Sequence, residues 1–200
     1  MTDDDVRPLN LRDKNRLRTR QDLLDAVLDL FAEGGLNACS MEAAAKLAGA
    51  SKTTAYSYFP GGVDEVLRDL YRSIGQRVLA QGIKARSAQH RPEERILSLA
   101  DALLEVCAEP RVGRFYMMLS PALSPLLEPV VGQASSKFRE MICSDLIAAG
   151  KPEISAPHCA VLISGAMREA ATTVAKDATL RNPLLCAMKS LISALMPSSR

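Results

Sequence analysis

The segment from Ser40 to Phe59, SMEAAAKLAGASKTTAYSYF, leaves little choice of local structure. Ser40 can accept a hydrogen bond from a free backbone N–H of a first helical turn, so it reads as an N-cap. Met41 to Ala48 is alanine-rich, helix-forming sequence. Gly49 ends that helix, because glycine enters the left-handed region at a helix C-terminus without a Cβ penalty. Ser51 then caps a second helix, Lys52 to Tyr58, which Pro60-Gly61-Gly62 terminates. Small side chains at Ala44, Ala45 and Ala48 permit the two helices to approach closely. The second helix displays Lys, Thr, Thr, Tyr, Ser and Tyr, residue types that donate to phosphate oxygens and base edges. Two short helices on a tight turn, the second rich in donors, have the layout of a helix-turn-helix.

The sequence just before this motif, Asp22 to Gly35 (DLLDAVLDLFAEGG), is a helix with Leu23, Val27, Leu30 and Phe31 at helical spacing and Leu24 and Leu28 widening the face. Phe-Ala-Glu-x-Gly ends it, a Ser-capped helix follows, and Ser-Lys-x-x-x-Tyr-x-Tyr-Phe-Pro closes the motif. On these phrases and their spacing the chain resembles the N-terminal domain of the TetR family of bacterial transcriptional regulators, over residues 16 to 72. The remainder is similar only in kind, as a helical C-terminal domain.

Scarce aromatics, no Trp and abundant Ala, Leu and Met favour helices packed on helices. The expected fold class is all-α. A three-helix DNA-binding domain spans 12–72 and a helical regulatory and dimerisation domain spans 73–200. Residues 1–11, with three Asp, a Pro and little periodicity, read as a disordered tail. The net charge of +2 excludes a grossly polybasic protein, so the useful signal is local. Arg12, Lys14, Arg16, Arg18 and Arg20 cluster against Asp13 alone, immediately before the helix-turn-helix. There, phosphate or minor-groove contact is the better reading than a solvated helix face.

Further along, a helix is expected from Val63 to Ala88, with Asp64 and Glu65 at its N-terminus, where acids suit the helix dipole. It carries Leu67, Leu70, Tyr71, Ile74, Val78 and Leu79. Pro92 opens a helix to Ala108, and Val112 to Leu119 forms a short one. The Pro121, Pro125 and Pro129 region is bent or broken. Helices follow over 129–149 and 156–176, and Asn182-Pro183 caps and opens the last, to Met196.

No catalytic constellation emerges. Ser51-Lys52-Thr53 lacks the glycine that a phosphate-binding loop needs before its Lys, and Lys46 stands where another is required. His90 and His158 lie at helix boundaries far apart in sequence, where solvation accounts for them without a metal. The paired acids Asp64-Glu65 and Glu93-Glu94 sit at helix starts. Cys39, Cys107, Cys143, Cys159 and Cys186 make no C-x-x-C, and their odd number argues against a disulfide framework. The reading is a non-enzyme without cofactor or metal. With no secretory leader and no apolar run of membrane-spanning length, it is expected in the cytoplasm, without a membrane partner.

The resemblance implies more. Position by position, Ser40, Lys52 and Tyr58 match phosphate contacts. Thr53, Thr54, Tyr56 and Ser57 match positions meeting phosphates or base edges, and Ser51 heads the same surface. Arg16, Arg18 and Arg20 form a basic arm. Three departures stand out. Ser57 replaces a frequent His. Ala44, Ala50 and Ala55 replace Ile, Val and Leu, which leaves the domain loosely packed unless Met41 or Leu47 fills in. Val63 replaces a Lys or Arg.

The expected partners are double-stranded operator DNA, a second copy joined through the last two helices by their small residues and the Leu184/Leu191/Leu195 stripe, and a small-molecule effector. Candidate pocket residues are Leu103, Val106, Cys107, Phe115, Met118, Leu119, Phe138, Met141, Ile142 and Met167, each of which also suits plain core. Their Met content adapts to apolar or amphipathic molecules. The implied function is a sequence-specific DNA-binding transcriptional regulator, a dimeric repressor released from its operator by such a ligand. The alternatives are an activator or a regulator without effector and, from another class, a helical enzyme or scaffold.

Overall fold

A computed structural model describes residues 10–117 and 132–197. Expectations for the tail at 1–9, for Met118 and Leu119, and for the Pro121, Pro125 and Pro129 region lie outside the described residues. Among the described residues the secondary structure is helical throughout. The chain divides into two compact units, residues 1–69 and 70–200.

The first unit holds α1 (Leu11–Gly34), a short 3-10 turn (Leu36–Ala38), α2 (Met41–Leu47), α3 (Lys52–Tyr58) and the start of α4 (Gly62–Ser87). Helix α1 begins two residues before the Asp13 that the sequence suggests, because Asn10 accepts a hydrogen bond from the Asp13 N–H at 2.9 Å. Its core face is Leu23, Leu24, Val27, Leu28 and Phe31, all buried, while Leu30 is half-buried. Met41, Ala44 and Ala45 of α2, Ala55 of α3, Phe59, and Val66 and Leu67 of α4 complete this core.

Those small residues answer the packing question that the sequence poses. Ala44 and Ala55 are wholly buried, so the helices close over the missing side-chain volume. Of the two candidate fillers, Met41 is buried at 4% exposure and Leu47 stands out at 56%. An unbranched methionine suits that task, since its three rotatable bonds fit an irregular gap.

The second unit contains the rest of α4, then α5 (Pro92–Cys107), α6 (Pro110–Met117), α7 (Gln133–Ala148), α8 (Ala156–Lys176), a 3-10 turn (Ala178–Leu180) and α9 (Arg181–Leu195). Helix α8 is central and packs on α5, α6, α7 and α9. Ala156, Ala160, Ile163, Met167, Ala170, Ala171 and Val174 are its buried residues. Side chains the size of Ile163 and Met167 contribute about 1.5–3 kcal/mol each when fully buried. The end of α5 meets α6 closely. A Cβ on Gly113 would stand 1.9 Å from the carbonyl oxygen of Cys107, so only glycine fits there.

Asn182 does not cap the last helix. Helix α9 already starts at Arg181, which leaves Asn182 and Pro183 inside its first turn. The capping residue here is Asp177, whose carboxylate accepts from the Thr179 N–H at 3.0 Å and so orders the 3-10 turn that leads into α9. At the other end of α9, Lys151 Nζ donates to the Leu195 carbonyl at 2.7 Å and satisfies one of the free terminal acceptors.

Asp145 was not anticipated from the sequence. Its carboxylate is buried at 1% exposure, and Arg86 grips it with two hydrogen bonds of 2.7 Å while Arg95 lies at 3.1 Å. This cluster pins α4, α5 and α7 at one point. Arg77 with Glu109, and Arg181 with Asp101, add ion pairs nearer the surface.

Candidate nucleic-acid interface

The interface is built from two caps and a turn. Ser40 Oγ accepts from the Ala43 N–H at 3.1 Å and starts α2. At the other end the Ala50 N–H donates to the Ala45 carbonyl at 2.9 Å, and the Gly49 N–H donates to Lys46 at 3.3 Å. That pair of bonds is a Schellman motif, and it requires the left-handed conformation that Gly49 adopts at φ +66°. Ser51 Oγ accepts from the Thr54 N–H at 3.0 Å and lies 2.7 Å from the Thr54 hydroxyl, which starts α3. The turn is therefore fixed by side chains that the sequence places at set intervals.

Helix α3 buries Ala55 and turns most other residues outward. Lys52, Thr53, Tyr56 and Ser57 are exposed, and Thr54 and Tyr58 are half-buried. Tyr56 is 42% exposed, far more than a core aromatic of a small domain would be. Lys52 Nζ lies 3.6 Å from a carboxylate oxygen of Glu42, and both side chains are mainly in solvent. Ser57 donates its hydroxyl to the Thr54 carbonyl at 2.7 Å. Behind α3, the Gly61 N–H donates to Glu65 Oε2 at 2.8 Å, so Glu65 holds the start of α4 as its position suggests.

The basic run is not one surface. Arg16 and Arg18 are exposed. Arg20 is engaged within the domain: its guanidinium pairs with Asp69 and lies 5.1 Å from the centroid of the buried Phe59 ring. A cation held by a carboxylate and an aromatic face braces the domain.

The described candidate pocket residues of the second unit are well packed. Val106, Cys107, Phe115, Phe138, Ile142 and Met167 are buried core at 4% exposure or less. Leu103 packs against the Leu104–Cys107 cluster, and Met141 is half-buried. None of these lines one cavity of about 560 Å³ among the described residues of the second unit. Its walls include Tyr71, Gly75 and Leu79 of α4, Tyr116 of α6, and Arg72, Gln76, Ser136 and Lys137. Tyr71 and Tyr116 stack there with ring centroids 4.8 Å apart. Burial raises the pKa of both phenols, and in Tyr116 the neighbouring Tyr71 adds to the shift, so both stay neutral donors. The sequence signal for this wall is the spacing Tyr71, Gly75, Leu79, one stripe beside the core face of α4.

The Cys107 thiol is pushed up to about 12 by burial, which removes it as a nucleophile. Among the described residues no group of three or more His, Cys, Asp or Glu is placed to hold a metal, and no helix is long and apolar enough to cross a membrane.

With this geometry in view, residues 23–64 match the family of bacterial regulatory proteins named tetR. No curated protein sequence matches the chain. The whole chain is similar in fold to a transcriptional regulator from Rhodococcus sp. RHA1, with 23% identity, 88% of this chain and 95% of that one covered, and a TM-score of 0.73. It is also similar to the fatty acid degradation regulator FadR from Bacillus halodurans, with 20% identity, coverage of 91% and 96%, and a TM-score of 0.69. The ketosteroid transcriptional regulator KstR2 of Mycobacterium tuberculosis shares 18% identity, with coverage of 90% and 95% and a TM-score of 0.67. Identities this low speak for the shared fold alone, whereas the N-terminal match falls on the capped, glycine-turned helix pair itself. Over residues 23–64 the chain therefore carries a regulatory domain of the tetR type.

Proposed function

We propose that this regulator is a homodimeric repressor that a small amphipathic ligand releases from its operator. The observation that carries the DNA half is α3, a helix whose outward residues are almost all hydrogen-bond donors held on a rigid, doubly capped turn. In this reading Lys52 and Tyr58 meet phosphates with Ser40 and Ser51 beside them. Thr53, Thr54, Tyr56 and Ser57 face base edges or the backbone, and Arg16 adds a phosphate contact.

Dimerisation is supported by the outer face of α8, where Val161 is 52% and Leu162 62% exposed. A Cβ on Gly165, one turn further, would meet nothing within 4 Å. On α9 the half-buried Leu184 packs inward on the core cluster of α5 and α8. Most outward residues there are small, Pro183, Cys186, Ala187, Ser190, Ser193 and Ala194, with Asn182 and Lys189 the larger ones. Small residues let a second copy approach closely. Two reading heads spaced by one DNA turn (~34–36 Å) or a multiple of it then share one operator.

The effector reading is supported by the cavity of the second unit, whose volume of about 560 Å³ suits a small ligand. Its walls combine aromatic and aliphatic surface with Arg72, Lys137 and Gln76, which suits a molecule with an apolar body and a polar end. Among the similar folds are a fatty acid degradation regulator and a ketosteroid transcriptional regulator.

Fluorescence anisotropy tests the reading, with duplexes that the full-length protein enriches from a random-sequence pool. Tyr56→Ala should weaken the enriched duplex by ~1–3 kcal/mol more than a random one, the worth of a good base contact. Equal losses would move Tyr56 to the backbone. Sedimentation at micromolar concentration should show a dimer. A long-chain carboxylate that binds the cavity must bind more weakly when DNA is present, because linkage is reciprocal. An effector-independent regulator shows no such coupling.

A further inference from the structure

Beside α3 lies a cleft of about 420 Å³, lined by Arg12, Asn15, Arg16 and Thr19 of α1 and by Ser57 and Tyr58 of α3. The four α1 residues are spaced so that they share one helix face. No lining residue is acidic, and two are arginines with no carboxylate partner among the described residues. The other cations of the run are elsewhere. Lys14 and Arg18 do not line the cleft, and Arg20 is held by Asp69 and Phe59.

The hydrogen-bond inventory narrows what fits. Thr19 spends its hydroxyl on the Asn15 carbonyl at 3.1 Å, and Ser57 spends its own on Thr54. The donors left are the two guanidinium groups, the Asn15 amide and the Tyr58 hydroxyl. Four donors, two of them permanently cationic and none opposed by an acid, call for an anion with several acceptor oxygens. Planar guanidinium forks match phosphate oxygens in pairs. The space is that of roughly a dozen waters at ~30 Å³ each, more than a lone inorganic anion fills. It admits a phosphodiester with its flanking sugars.

We infer that this cleft is a phosphodiester clamp, in which Arg12 and Arg16 of α1 join Tyr58 of α3 on a single backbone phosphate of the operator. The inference rests on the DNA-binding role of α3 and adds to it. The first two turns of α1 become part of the reading head, Arg12 becomes a contact, and Arg18 is left in solvent. Because one end of the clamp is on α3 itself, the phosphate fixes how that helix sits in the groove.

The test uses the full-length chain, a duplex enriched by it from a random pool, and a random duplex. Both arginines are exposed, so Arg12→Ala/Arg16→Ala should keep the thermal unfolding midpoint. One lost phosphate contact should flatten the slope of log K against log salt by about 0.9 on both duplexes. Arg18→Ala should leave the slope unchanged. Ethylation interference should show one phosphate per half-site that matters to the wild-type chain and not to the double variant. An unchanged slope in the double variant, or an equal change in Arg18→Ala, overturns the clamp while leaving DNA binding intact. So does a thermal shift with inorganic phosphate that the double variant loses without any change in slope, since the cleft would then serve a free phosphate. A wild-type chain that binds neither duplex fails the DNA-binding reading itself.

Discussion

The two units of this chain use alanine and arginine for different ends. In the first, alanines at 44 and 55 are buried so that short helices close on each other and push donors outward. In the second, Ala156, Ala160, Ala170 and Ala171 let the central α8 sit inside a ring of helices. Arginines follow the same split. Arg12, Arg16 and Arg18 face out from the first unit, whereas Arg86 and Arg95 converge on a buried carboxylate in the second. The first unit is organised around what its surface offers, and the second around what its interior fixes. Position in sequence specifies a surface, but an interior is specified only by which distant residues meet.

The largest effect should come from the interior. Asp145→Ala leaves Arg86 and Arg95 facing each other without their shared anion. Removing one partner of a buried pair costs about 3–5 kcal/mol, and the partial exposure of the two arginines sets the lower end here. Urea unfolding of the full chain measures it. A loss under about 1 kcal/mol, within the range of exposed pairs, would show that water already screens the cluster and that the contrast between the units is overstated.

A smaller effect belongs to the caps. Ser51→Ala removes the acceptor of the Thr54 N–H and should cost about 1 kcal/mol. DNA affinity should fall further than stability alone accounts for, since α3 loses its fixed start. Hydrogen exchange at Thr54 and anisotropy on an enriched duplex separate the two. Slower exchange at Thr54 in the variant would mean that the cap does not hold the helix.

This contrast also explains what was legible. Ser40, Gly49, Ser51 and Pro92 act within a few residues of themselves, so their roles could be read directly and the structure keeps them. The span 156–176 was legible for the same reason, as an uninterrupted helical pattern between a loop and a cap. Asn182 misled because Asp177, five residues earlier, orders a 3-10 turn that carries the chain into α9 before Asn182 is reached. The pairing of Arg20 with Asp69 is not legible, because Asp69 lies on another helix and nothing local marks it. The cavity beside Tyr71 is not legible in the sequence, because hydrophobicity points to the core. Val106, Phe115 and Ile142 are buried because they pack well, and a cavity forms where packing stops, beside Tyr71, Gly75 and Leu79. Asp145 reads as an ordinary helix acid until Arg86 and Arg95 are brought to it.

The smallest effect sharpens the surface half of the comparison. Glu42 lies 3.6 Å from Lys52, and both are largely in water, so as a stabilising pair they contribute little, on the order of 0.2–1 kcal/mol at most. Glu42 also sits in the first turn of α2, where its charge favours the helix dipole by a similar small amount. Glu42→Gln should therefore change stability by less than about 1 kcal/mol. The effect on DNA should have the opposite sign. The carboxylate competes with phosphate for Lys52 and adds a negative charge beside the surface that meets the duplex, so its removal should tighten binding. The gain should be about equal on enriched and random duplexes, because charge carries no sequence information, and should shrink as salt screens it. Anisotropy across a salt series, beside a thermal unfolding curve, reads both effects. Weaker binding in Glu42→Gln would mean that Glu42 holds Lys52 in its working position. The pair would then be a positioning device, and the first unit would share the internal logic of the second.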